Sequence, residues 1–403
     1  MLKSFKNRQI QLFVILIVVS FFGDILRRIS FSFNQEFTRY TTLSKALFIV
    51  ISIPFVFYYK DFIIKNGIKK KVLKLMLLML LFFLIGHISI SKDIVLTTVY
   101  NNFEYLVKYL FFPFLLFLFI DIREDTSSVE RLLKIFEFFF FVNLLAIIIG
   151  FFFEIRVFQT YYLGNRFGYK GIYSNSGQTS LFFILMMFYY SHKLLFQGFN
   201  KWILLKLLLT ISISLLIGTK RIYFFLPILI FYYLFFLNGI RKLNTYKIAG
   251  FVVVIGFVFF DKIKLIATNT FSLFYKIYEE KGFISSFTSF RSDLISDIIS
   301  ERVIPKWGFL NYLFGGLGFS HGRSEMGFID LFLFFGIVGL ILYLYFYKII
   351  LDFKFSHHFY WFFVSSLTLI VFIADAFILD TNVPILLFLI CSYFYLFEKH
   401  KYV

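Results

Sequence analysis

Long apolar runs alternate with short polar connections along almost the whole chain, and the runs set its class. Stretches of roughly 17 to 22 residues match the hydrocarbon thickness of a bilayer when wound as helix. Twelve are read, at about 10–26, 43–59, 72–90, 105–120, 132–153, 176–191, 201–217, 222–238, 248–260, 327–347, 359–378 and 383–397. Their apolar character is continuous, as expected where each backbone polar group is satisfied within its own helix. The pattern predicts an all-α, polytopic integral membrane protein with about 12 transmembrane helices, a single membrane domain over 1–403, and no barrel. One connection breaks the rhythm: 261–326 is long, polar and predicted to lie outside the hydrocarbon.

Composition agrees, with 60% hydrophobic residues and a mean hydropathy of +0.83. Phenylalanine is extreme at 66 residues. AT-rich coding and lipid-facing tolerance account for it, because aromatic stripes in membrane spans are ordinary packing. The formal net charge of +18 does not point to nucleic acid, since the basic residues flank the apolar runs instead of massing on one soluble face. The single cysteine, Cys391, falls inside a run, so no intrachain disulfide is possible. The basic start Met1–Arg8 lacks a small-x-small cleavage site and Asp24 follows, which predicts an uncleaved first span.

The connections also give an orientation. Lys60, Lys65, Lys69, Lys70, Lys71 and Lys74 cluster in one connection. Arg123, Arg131, Lys134, Lys193, Lys201, Arg241, Lys242, Lys247, Lys348, Lys354, Lys399 and Lys401 fall on the same side if the N-terminus is cytoplasmic. The positive-inside rule then puts both termini in the cytoplasm and 261–326 outside. Basic residues that topology does not require remain on the outer side: Arg27, Arg28 and Arg39, then Arg156, Arg166 and Lys170, then Lys220 and Arg221. They read either as lipid-headgroup anchors or, together, as a basic cavity for an anionic membrane-bound substrate.

Three constellations carry candidate chemistry. In 164–177, four glycines stand among Arg166, Lys170, Asn165, Ser174, Asn175 and Ser176, giving either a turn-rich connector or a loop whose backbone approaches a ligand. Asn175 and Ser176 are placed to cap the next span and present its first amides to an anion. The turn Ile217–Arg221 sets two adjacent cations against the topology rule. In the long loop, Phe290, Leu294, Ile295, Ile298, Ile299 and Val303 recur at helical spacing and predict an amphipathic helix closed by Pro305, with a second over 269–278. His321, Arg323 and Glu325 follow, with Asp330 at the mouth of the next span. A helix beginning near Arg323 would put that residue and Asp330 on one face. A lone histidine is more often structural than catalytic, so His321 and Glu325 both stand as candidate proton acceptors. Asp24, His87, Lys108, Glu137 and Asp375 are ionisable groups within or near spans, read as functional or as snorkelling. No zinc-ligand spacing, phosphate-binding loop, dinucleotide fingerprint or nucleophile elbow is present, and neither a metal nor a soluble cofactor is implied.

With these residues in view, the chain resembles the O-antigen polymerase and ligase superfamily, most closely the Wzy-type polymerases of bacterial surface polysaccharides. The likeness covers roughly 160–345: Arg166 and Gly177 at the spacing of one family loop, the small-small-basic turn Gly218–Arg221, Arg291 opening the amphipathic helix, and Gly316–Gly318 followed by Glu325–Phe332 and Gly336–Gly339. Where ligases carry a His-Asn or related element, this chain reads His321-Gly322-Arg323-Ser324-Glu325, which favours polymerase. The resemblance implies a GT-C-like fold and metal-independent, inverting transfer of a glycan from undecaprenyl pyrophosphate to a lipid-linked repeat unit. It further implies work beside a flippase and a chain-length regulator in the bacterial cytoplasmic membrane. In that scheme Arg166, Lys170, Lys220, Arg221 and Arg291 neutralise pyrophosphate, Glu325 or His321 takes the hydroxyl proton, and Arg323 orients one of them or pairs with Asp330. A ligase, or a flippase or other transporter, is the alternative; a transporter would be expected to show internal repeats and broken helices.

Overall fold

A computed structural model describes residues 2–33, 40–90, 96–161, 167–237, 260–288, 290–319, 323–352, 357–373, 378–380 and 382–401. The helices are α1 (Leu2–Ser32), α2 (Tyr40–Tyr58), α3 (Lys60–Lys65), α4 (Gly67–Ile90), α5 (Leu96–Phe119), α6 (Thr126–Phe152), α7 (Ser176–Phe196) and α8 (Lys201–Ser214). They continue as α9 (Lys220–Phe231), α10 (Phe260–Thr288), α11 (Arg291–Ile298), α12 (Phe309–Phe314), α13 (Gly327–Ile350), α14 (His358–Ile373) and α15 (Val383–Lys401). Among the described residues there is no strand, only one isolated bridge between Gln159 and Tyr169.

Among the described residues, 7 helices are long and apolar enough to cross a membrane: those at α1, α2, α4, α5, α6, α7 and α13. A helical, polytopic membrane protein is therefore the class. The predicted runs on α8, α9 and α14 form shorter helices, and the run 248–260 lies outside the described residues but for Phe260. At about 1.5 Å per residue the 14 residues of α8 fall short of a bilayer core, and the tighter turn Leu215–Ile217 extends them.

The chain packs as two compact units. The first comprises Met1–Val142, Arg291–Ser356 and Thr368–Val403. Within it α1 lies on α2, and α4 packs against α5, α12 and α13. Phenylalanine does the filling: Phe334 meets Phe83 at 5.5 Å, Tyr109 at 5.1 Å and Phe319 at 5.2 Å between ring centroids. Phe13 stands edge-on to Phe119 at 4.6 Å. Such ring pairs add to plain area burial.

Some of the basic residues assigned to topology have a second task here. Lys69 is fully buried and ion-paired with Asp121, whose other oxygen accepts from Asn66 Nδ2. Asn66 Oδ1 in turn accepts from the amides of Ile68 and Lys69, so one carboxylate fastens the start of α4 to the end of α5. Arg123 lies under the Tyr395 ring at 3.5 Å and donates to Ile349 O at 2.8 Å and to Asp352 O. Its guanidinium thus caps the carbonyl end of α13, where cations are favoured.

The sharpest local feature is a break in α13 at Gly336, whose φ of 68° and ψ of −174° are far from helical. Leu333 O and Phe334 O, which a continuous helix would have paired with amides four residues on, accept instead from Leu317 N and Gly316 N, both at 3.1 Å. A Cβ at Gly336 would strike the backbone of Leu313 and Phe314, so both the conformation and the contact demand glycine.

The second unit comprises Asn143–Phe290 and His357–Leu367. Here α7 is buried along most of its length against α8 and α9. Phe188 meets Phe225 at 5.2 Å and Phe363 at 5.0 Å, and His192 Nε2 lies 3.1 Å from Tyr360 Oη.

Two outcomes test this architecture. Gly336→Ala should destabilise the purified protein by about 2–4 kcal/mol, from the backbone clash plus the left-handed conformation; an unchanged thermal midpoint would refute the tight contact. Arg123→Ala should cost about 2–4 kcal/mol through its lost carbonyl bonds, with Arg123→Lys falling between the two in the same thermal unfolding assay.

Candidate functional site

In the second unit, backbone hydrogen bonds stitch together two loops that are far apart in sequence. Thr160 N donates to Gly168 O at 2.8 Å, Tyr169 N to Leu216 O at 2.7 Å, and Lys170 N to Phe158 O at 2.8 Å. Gly218, at φ 72°, ends the turn after α8, and a side chain there would strike the backbone of Phe167 and Gly168. Asn143, buried on α6, accepts from Ile172 N at 2.7 Å and Tyr173 N at 3.3 Å and so holds the far end of the same loop. Asn175 caps α7 as expected, its side chain accepting from Gln178 N at 2.6 Å, while Ser176 is the first helical residue.

Lys220 and Arg221 do not form a bare turn. They open α9, after Thr219 in extended conformation. Cations in the first turn face the positive end of the helix dipole, which is where anions are favoured. Lys220 Nζ donates to Ser286 O at 3.1 Å, tying the start of α9 to the end of α10. Lys170 is half-buried on the stitched loop, and Arg166 lies outside the described residues.

The first unit holds the other half of the candidate set. Arg291 opens α11 and donates from Nη2 to Glu325 Oε2 at 3.3 Å; the arginine side chain is 18% exposed and the glutamate 54%. Glu325 has a φ of 56°, the left-handed region that a β-carbon disfavours. Its turn is fixed from behind. Asp330, fully buried in the first turn of α13, accepts from Ser324 N at 2.8 Å and Ser324 Oγ at 2.7 Å, and Ser324 Oγ accepts from Met326 N at 3.1 Å. The buried Asp330 carboxylate thus holds Ser324 and, through it, the turn that carries Glu325. Helix begins at Gly327 and not near Arg323, so Arg323 and Asp330 do not share a helical face. Arg323 instead lies 5.9 Å from the Tyr105 ring centre. His321 lies outside the described residues.

The loop leading to this turn is largely helical. The predicted amphipathic helix runs through α11, a wide turn Ile299–Val303 and a last turn Ile304–Lys306, so it passes Pro305 instead of closing there. The wide turn accommodates a ring that has no amide to donate. Ile298, Val303 and Trp307 pack on Leu317 and Leu333, while Leu294 and Ile299 stay exposed. Buried amides complete the anchoring. Asn311 Nδ2 donates to Ser89 Oγ at 2.7 Å, Gly315 O at 2.9 Å and Gly86 O at 3.1 Å, and Asn102 Oδ1 accepts from Phe319 N at 3.1 Å. Sequence reasoning missed Asn102, Asn143 and Asn311; the signal available was an amide embedded in or beside an apolar run.

Compared with known proteins, the chain matches no family model, no curated sequence and no solved structure. Chemically, the described residues offer a carboxylate paired with an arginine on a pre-shaped turn in one unit, and a cation-bearing helix start with its stitched loop in the other.

The turn can be probed by stability alone. Asp330→Ala should cost about 2–3 kcal/mol and Ser324→Ala about 1 kcal/mol in thermal unfolding. Because the two share hydrogen bonds, the double variant should cost less than their sum; strict additivity would show that they do not act together.

Proposed function

We propose that the chain polymerises undecaprenyl-pyrophosphate-linked oligosaccharide repeat units on the outer face of the bacterial cytoplasmic membrane. In this reading it has twelve spans in a GT-C-like arrangement, both termini inside, and works beside a flippase and a chain-length regulator. The observation that carries the proposal is the Arg291–Glu325 pair, a partly exposed carboxylate held on a strained turn beside a mostly buried guanidinium. Glu325 accepts the proton of the acceptor hydroxyl, whose oxygen attacks the anomeric carbon as the bond to pyrophosphate breaks with inversion. Arg291 stabilises the charge that gathers on the leaving group. Competition of pyrophosphate for Arg291 releases Glu325 to act as base. Arg166, Lys170, Lys220 and Arg221 bind the phosphates of a lipid-linked substrate, and Arg323 aids on the Glu325 side. His321 remains the other candidate for the base.

Transport is the second reading, because the break in α13 is a feature that transporters use to expose backbone to ligands. Here Leu333 O and Phe334 O each already accept from an amide, those of Leu317 and Gly316, so the break is paired within the protein. That leaves polymerisation as the better-supported function, with ligation as its nearest enzymatic rival.

Polysaccharide profiles on gels decide the matter. Glu325→Gln and Arg291→Ala, each inserted normally, should abolish long-chain polymer and leave single repeat units at the surface. Retention of full-length polymer by both variants would refute the assignment. Deletion of the gene sorts the alternatives: polymer stranded on its lipid carrier indicates a ligase, and loss of all display a flippase.

A further inference from the structure

Between Lys306 and Arg323 the long connection loses its charge: residues 307–319 hold no Asp, Glu, Lys, Arg or His. An uncharged apolar run of about 10–14 residues is too short to span a bilayer and suits a re-entrant or interfacial segment. Two helices of the same unit gauge its depth, α4 and α13, both long and apolar enough to cross a membrane. Along α13, Gly316 N and Leu317 N donate to Phe334 O and Leu333 O, and Phe334 is seven residues past Gly327. Along α4, the Phe314 ring lies 4.9 Å from that of Phe82, which is seven residues before Ser89. Asn311 bonds nearer the end of α4, to Gly86 O and Ser89 Oγ. At about 1.5 Å per residue, both helices put the lowest part of the run about 10 Å inside their ends. Neither helix has length to spare. Lys74 and Lys348 bound them on the far side, sixteen residues from Ile90 and twenty-one from Gly327. About 20 residues cross the hydrocarbon, so these ends do not protrude far beyond it.

At that depth irregular backbone is tolerated only where protein satisfies it. The run meets this demand, since Gly315 N donates to Asn311 O at 2.7 Å and Asn311 Nδ2 returns a bond to Gly315 O at 2.9 Å. Gly86 permits the approach, because a Cβ there would strike Phe314 O and Gly315. The opposite side of the run is uncovered: Phe309 is 76% exposed, Leu310 47% and Tyr312 45%. Leu84 and Ile88 are exposed at the same height on α4, as expected of a surface that meets lipid. We propose that 307–319 is a re-entrant segment seated on α4 and α13, whose Phe309, Leu310 and Tyr312 pack against the acyl chains of one leaflet. Lys306 and Arg323 flank it as boundary cations do, and the charges Asp297, Glu301 and Arg302 keep α11 and its wide turn at the membrane surface. The connection 261–326 therefore does not lie wholly outside the hydrocarbon. The Arg291–Glu325 pair, just before α13 begins, stands at the same surface. The inference holds whether or not the chain is a polymerase.

Nitroxide labels on single cysteines test the depth, with the full-length protein in phosphatidylcholine nanodiscs. Cys391 is fully buried, so the unsubstituted protein gives the labelling blank. Collisions with oxygen, which concentrates in hydrocarbon, are compared with collisions with a neutral nickel chelate, which stays in water. Phe309→Cys and Leu310→Cys are read against Leu84→Cys as the lipid reference and Asp61→Cys, exposed on α3, as the water reference. The oxygen-to-nickel ratio at Phe309 and Leu310 should be several-fold above that at Asp61 and close to that at Leu84. A ratio close to that at Asp61 puts the segment in water and overturns the inference. Exclusion of both agents at Phe309 and Leu310 means that protein covers this face, which overturns it equally. Thermal midpoints against the unsubstituted protein confirm folding, and Leu310→Cys carries the test if Phe309→Cys is unstable.

Discussion

In hydrocarbon no water is available to a freed amide or carbonyl, and each one left unsatisfied costs several kcal/mol. The first unit is organised around that constraint. Breaking α13 at Gly336 releases carbonyls that must find donors, and the strap at Gly316 and Leu317 supplies them. The strap is in turn held by Asn311, and the chain just beyond it by Asn102, so the path toward Glu325 is determined before the turn itself is reached. A loop that looks free in length and polarity is thus tethered at its root. Glycine at Gly86, Gly315 and Gly336 lets backbone meet backbone where these ties are made.

The same economy explains what was legible in the sequence. Helices on the apolar runs were readable because their length and continuous hydrophobicity admit few other structures in lipid. The basic loops and Lys220 were readable as residues out of place for topology alone, and Arg291 and Glu325 as charges gathered in one long polar connection. Their partners were not. Arg291 and Glu325 are 34 positions apart, and Lys220 and Ser286 O are 66 apart. No periodicity links such distances; only tertiary packing does.

Buried amides and the basic residues at helix boundaries show a different limit. Asn143, Asn311 and Asn102 each read as minor polar interruptions, yet each satisfies backbone groups of a loop that cannot satisfy its own. Lys69 and Arg123 were explained by topology, and that sufficient explanation hid their packing. Both meanings hold together, since a cation at a helix boundary can mark orientation and also cap carbonyls.

The Arg291–Glu325 pair is the hardest element to justify by stability. A pair whose glutamate is 54% exposed contributes about 0–1 kcal/mol. The left-handed conformation of Glu325 costs about 1–2 kcal/mol. The two together bring no net gain, yet Asp330 and Ser324 are spent on holding the turn. Structure maintained at no gain to the fold is what the proposed role of Glu325 would account for, since backbone strain gathers where a side chain must be held for a task other than stability.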